Sequence, residues 1–276
     1  MAVRIGNVTG IGWRADVALR GGNGEARVLA ALSTSIYVEA GGEVLWVGSR
    51  DATPHARAIH VIQTPDGCEA GSRVSVALPT DVRPWRPDET PPTAGAAVAL
   101  RRGATRLAAH AAALGTPRGF GAWLLGAPLT FPLDAARARA DALASACAGD
   151  DPPRAAEAAT ALLGLGPGMT PAGDDFAGGA FFARALLARA GACDVARWRD
   201  AADTVRAAAT RLTHPIGAVL LGDLLAGEGW AALHDLAAAL ARADEPAALD
   251  AARRLTRLGH SSGWDLLAGF VAGVRG

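Results

Sequence analysis

The pattern of apolar and polar positions changes once along the chain. Up to about residue 90, short apolar runs alternate with glycine-containing turns, which predicts strands. These runs are residues 27–32, 35–39, 44–47, 59–62 and 74–78. Their spacing and their β-branched residues are typical of a meander or a small barrel. Residues 1–90 are therefore predicted to form a β-rich domain.

Two glycine clusters in this part of the chain predict turns. Residues 21–24 read Gly-Gly-Asn-Gly and are interpreted as a hairpin turn, with close approach to a ligand as the alternative. Residues 40–42 read Ala-Gly-Gly and predict a second turn.

Residues 84–95 hold four prolines and mark the predicted domain boundary. Beyond them the apolar positions recur with helical spacing, interrupted by glycines and prolines. The predicted helices are 96–114, 133–148, 153–163, 171–190, 195–212, 215–226, 230–241, 246–258 and 261–274. Because the connections are short, residues 91–276 are predicted to form a compact helical bundle. Residues 120–125 receive no assignment. The fold class is thus α+β, a β-rich barrel-like or meander unit followed by an all-helical bundle.

Composition narrows the function classes. The chain has 27 basic and 27 acidic residues, so its net charge favours neither nucleic acid nor an anionic membrane as a partner. Every basic residue is arginine, which excludes a Schiff-base or P-loop lysine. The three scattered cysteines form no CxxC pair. With no signal-peptide pattern and no apolar run long enough to span a bilayer, a cytoplasmic location is expected.

The start of the predicted helix 171–190 carries the first candidate chemistry. Gly166 and Gly168 precede it and allow a ligand to approach the main chain closely. Thr170, followed by proline, predicts an N-cap, and a helix start favours an anion. Asp174 and Asp175 either complement the helix dipole or bind Mg²⁺ together.

The start of the last predicted helix repeats this pattern. Residues 173–179 and 263–269 both read Gly-x-Asp-apolar-x-x-Gly, beginning at Gly173 and Gly263. Ser262 and Asp265 have the spacing of a capping box, which would account for both. The histidine of this turn, at position 260, is a candidate acid or base, or a hydrogen-bond donor to an anion, with a cap or surface role as the alternative.

Glycines inside both helices indicate how the two starts would meet. Gly178, Gly179, Gly269 and Gly273 each cost roughly 1 kcal/mol relative to alanine, which close helix packing would offset. Such packing would bring the helix starts together. Our hypothesis is that one pocket is bordered by Thr170, Asp174, Asp175, His260, Ser261 and Asp265. The alternative places each aspartate on its own helix cap, facing water.

Residues 164–176 and 259–265 together resemble the bacterial family that includes AllH. This family is tied to oxamate carbamoyltransferase in anaerobic allantoin breakdown, and some members are labelled as carboxylases. The resemblance extends over most of the chain. Met169 and Ala172 stand where the family is expected to have leucine and serine, and the second change removes a hydroxyl.

The resemblance implies a subunit of an enzyme that moves a carbamoyl group between oxalurate or oxamate and phosphate. Its partners would be other subunits and a small anion, namely carbamoyl phosphate, oxamate or oxalurate. The candidate catalytic residues are Asp174, Asp175, His260 and Asp265. The candidate substrate-binding residues are Gly166, Gly168, Thr170, Gly173, Ser261, Ser262 and Gly263. Mg²⁺, bound by Asp174 and Asp175, is the candidate cofactor. The alternative function is a non-catalytic small-anion-binding or assembly subunit.

Overall fold

The computed structural model describes residues 3–64, 66–78, 80–88 and 95–275. It divides into two compact units, Met1–Asp88 and Glu89–Gly276. The predicted fold class is confirmed, because a nearly closed, barrel-like seven-stranded sheet precedes a helical region. Residues 89–94 of the proline-rich boundary segment lie outside the described residues.

The first unit contains seven strands and one helix. The strands are β1 (Val3–Ile5), β2 (Val8–Ile11), β3 (Glu25–Ala31), β4 (Ser35–Ala40), β5 (Glu43–Ser49), β6 (Ala58–Val61) and β7 (Arg73–Val76), and the helix is α1 (Trp13–Gly21). Their order in the sheet is β1-β7-β3-β4-β5-β6-β2. The strands pair in antiparallel fashion except for β1–β7 and β5–β6, which are parallel. Fully buried Val28, Val38, Leu45, Val47 and Ile59 form the centre of its core.

Two features of this unit differ from the sequence predictions. The strands β1 and β2 and the helix α1 were not predicted, because the two strands are short and α1 buries only three residues. The hairpin predicted at residues 21–24 is wrong, because this segment joins α1 to β3. By contrast, the turn at residues 40–42 is confirmed: Ala40 pairs with Glu43, and the two glycines between them have φ values of 58° and 81°.

The second unit is built from helices and their connecting loops, and its described residues contain no strand. Its helices are α2 (Ala96–Ala109), α3 (Gly121–Leu124), α4 (Arg137–Ala148), α5 (Pro152–Thr160), α6 (Ala172–Arg189), α7 (Val195–Leu212), α8 (Pro215–Leu225), α9 (Ala231–Ala241), α10 (Glu245–Thr256) and α11 (Ser262–Val274). The segment 120–125, left without assignment from sequence, contains the short α3. None of the described helices combines the length and apolar character needed to cross a membrane.

The helices α6 and α11 form the centre of this bundle. Every residue from Gly263 to Val274 is buried, as are the first thirteen positions of α6. A helix that is buried on all sides must be surrounded by other helices. The starts of α6 and α11 are therefore held by the core of the unit rather than by surface loops.

Candidate functional site

Glycines allow α6 and α11 to pack with their backbones in contact. A Cβ atom on Gly179 would lie 2.4 Å from the carbonyl oxygen of Leu266, and one on Gly269 would lie 2.0 Å from that of Phe176. These contacts confirm the interpretation of the helix glycines as packing residues. Near the other end, a Cβ on Gly273 would lie 2.2 Å from the carbonyl oxygen of Ala180. Early positions meet early positions and later positions meet later ones, so the helices run side by side in the same direction.

The two helix starts are built alike, as the sequence echo suggested. A Cβ on Gly173 would lie 1.9 Å from the carbonyl oxygen of Leu162, and one on Gly263 would lie 1.8 Å from that of Leu255. Each start thus rests on the end of the preceding helical segment, at a position that only glycine fits. Across the gap, the hydroxyl oxygens of Thr170 and Ser262 lie 3.5 Å apart. The structure brings the two segments together.

The predicted caps are wrong in detail. Pro171, not Thr170, occupies the N-cap position of α6, and Ser261 occupies that of α11; neither makes a side-chain capping bond. The capping box is also wrong, because the Asp265 carboxylate accepts a 2.6 Å hydrogen bond from the amide of Phe120. The partner comes from a distant loop, so local spacing could not reveal it.

The peptide N–H groups at these helix starts are largely used within the protein. Gly173 donates to Leu165, whereas Asp174 and Asp175 both donate to the carbonyl of Pro171. In α11, Gly263 and Asp265 likewise donate to nearby carbonyls. These amides therefore already have hydrogen-bond partners within the protein.

Asp174 ties together three segments of the bundle. Its carboxylate accepts a 2.8 Å hydrogen bond from the amide of Gly164 and another from the hydroxyl of Thr213. Burial raises the pKa of Asp174 above its usual value, and the two hydrogen bonds act in the opposite direction. Since both carboxylate oxygens already have hydrogen-bond partners, Asp174 connects the glycine-containing loop before α6 to the start of α8.

Asp175 and Asp265 form a pair of buried carboxyl groups at the adjacent starts. Each has one buried oxygen, Oδ2, with no hydrogen-bond partner among the described residues. Burial, followed by the charge of Asp265, raises the pKa of Asp175 well above its usual range, against the effect of the Ser262 hydroxyl. Burial also raises the pKa of Asp265 to about 7, against the effects of the Phe120 amide and the Ser261 hydroxyl. Burial therefore favours the protonated form of both carboxyl groups.

The other predicted site residues surround this pair unevenly. Ser261, Ser262 and Thr170 are half-buried, and the hydroxyl groups of Ser262 and Ser261 hydrogen-bond to Asp175 and Asp265 respectively. Gly166 and Gly168 have φ values of 109° and 92° in the loop that leads into α6.

His260 stands apart from the carboxyl pair in its contacts. It is exposed, and it participates through its backbone carbonyl, which accepts a 3.0 Å hydrogen bond from Arg118. Among the described residues, no hydrogen bond joins the His260 imidazole to Asp175 or Asp265. The structure thus gives the predicted acid–base role of His260 no support.

The arrangement does not fit the predicted magnesium pair. Both oxygens of Asp174 serve protein donors, which leaves Asp175 without its neighbour as a second ligand. Within the described ranges, no group of three or more histidine, cysteine or acidic side chains is arranged to hold a metal ion. We accordingly assign no step to a metal.

Sequence reasoning missed the loop that encloses Asp265. Gly119 has a φ of 52°, and a Cβ there would lie 2.1 Å from Asp265 Oδ1. This close approach lets the next amide, that of Phe120, reach the carboxylate. The glycines at 119 and 121 were the available signal, but the residues that they approach, Asp265 and Trp264, lie more than 140 positions away.

The hydrogen bond between Thr213 and Asp174 gives a first testable prediction. Thr213→Val should lower the free energy of unfolding by about 1–3 kcal/mol, because a buried carboxyl oxygen loses its donor. Urea denaturation would measure this. Thr204→Val is the matched control, since Thr204 is exposed and bonds only to a carbonyl of its own helix. Equal stability of the two variants would contradict the role of Asp174.

Residues 162–274 match the family model described as oxamate carbamoyltransferase subunit AllH. The matched segment includes both helix starts and ends with the last residue of α11. The chain is thus similar to this family over less than half of its length. No curated protein matches the chain, and no solved structure does so. The strand-rich unit lies outside the matched residues.

Proposed function

We propose that this chain is a subunit of an oxamate carbamoyltransferase-like enzyme and binds the carbamoyl-bearing substrate at the paired helix starts. The observation that carries the proposal is the Asp175–Asp265 pair, with an unpartnered oxygen on each residue, inside the family-matched segment. Thr170, Ser261 and Ser262 supply the surrounding hydroxyl groups. Nucleic acid and membrane play no part in this function.

The carboxyl pair suits a carbamoyl group. A carbamoyl group has an NH₂ donor and a carbonyl acceptor, and a half-protonated carboxyl pair offers both an acceptor and a donor. Two helices whose positive ends lie side by side also favour acidic groups at those ends. These two effects explain why two carboxyl groups are placed together at a buried position.

The same pair can move the proton that the reaction requires. In the direction from oxalurate, a hydrogen phosphate oxygen attacks the ureido carbonyl carbon, and the bond from that carbon to the oxamate nitrogen breaks. The carboxyl pair gives its proton to the departing nitrogen and regains one from the attacking hydrogen phosphate. The products are carbamoyl phosphate and oxamate, with atoms and charge conserved. A pKa near 7 suits a group that both gives and accepts a proton.

Partner subunits are needed for this reaction. We propose that the chain alone has little or no transferase activity, since the described residues near the pair supply carboxyl and hydroxyl groups but no complete catalytic constellation. Robust turnover of oxalurate and phosphate by the purified chain would contradict this.

A specific observation favours the alternative, a non-catalytic anion-binding or assembly subunit. Asp265 is fully buried and accepts a hydrogen bond from the Phe120 amide. Both carboxylate oxygens of Asp174 accept hydrogen bonds from the protein. Two of the three acids therefore have structural partners. In that case the paired starts would organise a surface for partner subunits without taking part in proton transfer.

The Asp175→Asn variant, assembled with its partner subunits, distinguishes the two functions. We expect kcat to fall roughly 100-fold or more, as for loss of a general acid or base, while the complex and the melting temperature persist. Asp200→Asn, at an exposed position, is the control. Titration with oxamate, oxalurate and carbamoyl phosphate would measure binding separately.

Two outcomes would count against the catalytic role. Unchanged kcat in Asp175→Asn would exclude proton transfer through this residue. A variant that no longer assembles would support the assembly function. Ser262→Ala removes the hydroxyl beside Asp175 without changing charge and should lower kcat less than Asp175→Asn does.

A further inference from the structure

An open cleft lies at the end of α10, beside the turn that leads into α11. Its volume is about 440 Å³. Its polar lining consists of Thr116, Arg118, Arg253, Thr256 and Arg257, and Gly259 forms part of its wall. Three arginines therefore converge on one concave surface of a chain whose net charge is zero.

The arginines come from two sides of the cleft. Arg253 and Arg257 are four residues apart at the end of α10, so they lie one turn apart on the same face. Arg118 projects from the opposite loop, where it donates a hydrogen bond to the His260 carbonyl. All three are exposed, and none forms an ion pair with a described residue. The neighbouring Arg254, by contrast, pairs with Asp235 and Asp250.

The loop that carries Arg118 is fixed in place. Phe120, two residues further on, donates its amide to Asp265, and a Cβ on Gly121 would lie 2.7 Å from the ring of Trp264. The cleft and the carboxyl pair thus share the same supporting residues. Such fixed placement reduces the entropy that ligand binding would otherwise lose.

We propose that this cleft binds a small phosphate-type dianion. Guanidinium groups bind phosphate oxygens in a bidentate manner, and three of them provide more positive charge than a monocarboxylate needs. The Thr116 hydroxyl adds a neutral donor at the edge. Phosphate binding does not depend on the transferase. The assignment of bound phosphate as the co-substrate of carbamoyl transfer rests on the proposed function.

The competing explanation is that Arg253 complements the negative end of the α10 dipole. Arg254 lies in the same last turn and would serve that purpose equally well. It is therefore a matched control, because it differs from Arg253 in facing acidic partners instead of the cleft.

The test is calorimetric titration of the full chain with inorganic phosphate at constant ionic strength. Arg253→Gln and Arg257→Gln should each weaken phosphate binding about tenfold or more, the effect of losing a charged hydrogen-bond donor. Arg254→Gln should bind phosphate like the unaltered chain. Oxamate, a monoanion, should compete weakly.

Three results would overturn the proposal: no phosphate binding by the unaltered chain at millimolar concentrations, equal weakening in Arg254→Gln, or stronger binding of oxamate than of phosphate. Asp175→Asn separates the two proposals, since it should lose transfer and keep phosphate binding. If phosphate binds but no assembled enzyme transfers a carbamoyl group, the proposed function fails and the phosphate site stands. If transfer persists in the arginine variants with unchanged affinity for phosphate, the site fails alone.

Discussion

Gly269→Ala is expected to destabilise the helical unit by about 3 kcal/mol or more, the upper end of the range for overpacked cores. The added Cβ would lie 2.0 Å from the carbonyl oxygen of Phe176, and a backbone atom inside a buried helix cannot move aside as a flexible side chain would. α6 and α11 would have to separate. In thermal unfolding, this should lower the melting temperature by roughly 6–12 °C.

Gly222→Ala is the control for this variant. Gly222 also lies within a helix, but the nearest atom to its Cβ would be the Arg206 side chain at 3.9 Å. Alanine there should be neutral or stabilising by up to about 1 kcal/mol, because alanine has the higher helix propensity. If Gly269→Ala proved as stable as Gly222→Ala, close packing would not be what holds the two helix starts together.

The second large effect concerns pH. The pKa of Asp265 is raised from 3.8 to about 7 in the folded chain, so the folded state holds a proton that the unfolded chain has released. This contribution to stability is complete below about pH 4 and is lost as the pH rises to about 7. Each unit within this window changes the contribution by roughly 1.4 kcal/mol. The raised pKa of Asp175 acts in the same direction.

Asp265→Asn should therefore flatten the decline in stability between about pH 4 and pH 7. Asparagine can still accept the Phe120 hydrogen bond, and it carries no charge to bury beside Asp175. Urea denaturation at several pH values would measure the slope, with Asp200→Asn as the exposed control. A slope as steep in Asp265→Asn as in the unaltered chain would show that the titration of Asp265 does not cause the decline.

Local patterns in the sequence determined much of the fold. Alternating apolar runs identified β3 to β7, and helical spacing identified the long helices, because these patterns report which face of an element is buried. The turn at Gly41–Gly42 followed from the need for positive φ at both positions. The elements β1, β2 and α1 were missed because each buries too few residues to produce a clear pattern.

The candidate site was only partly accessible from sequence. The repeated Gly-x-Asp motif and the helix glycines correctly indicated that the two starts meet, since glycine inside a helix requires a packing reason. The role of each individual site residue was predicted less well from the sequence. Asp174 and Asp175 are adjacent in sequence, yet Asp174 accepts a hydrogen bond from Thr213, whereas Asp175 lies within reach of the charge of Asp265. Consecutive residues on a helix point in directions about 100° apart, so each meets a different neighbour.

Only the tertiary structure decided which groups surround the carboxyl pair. The Phe120 amide reaches Asp265 across 145 residues, and Arg118 faces Arg253 and Arg257 across the cleft. The pKa of a carboxyl group depends on its burial and on neighbours within a few ångströms, and both arise only when distant segments pack together. The sequence determined which elements form and which glycines allow α6 and α11 to touch. The packing of those helices determined that two aspartates are buried near one another, and this burial raises the pKa of both.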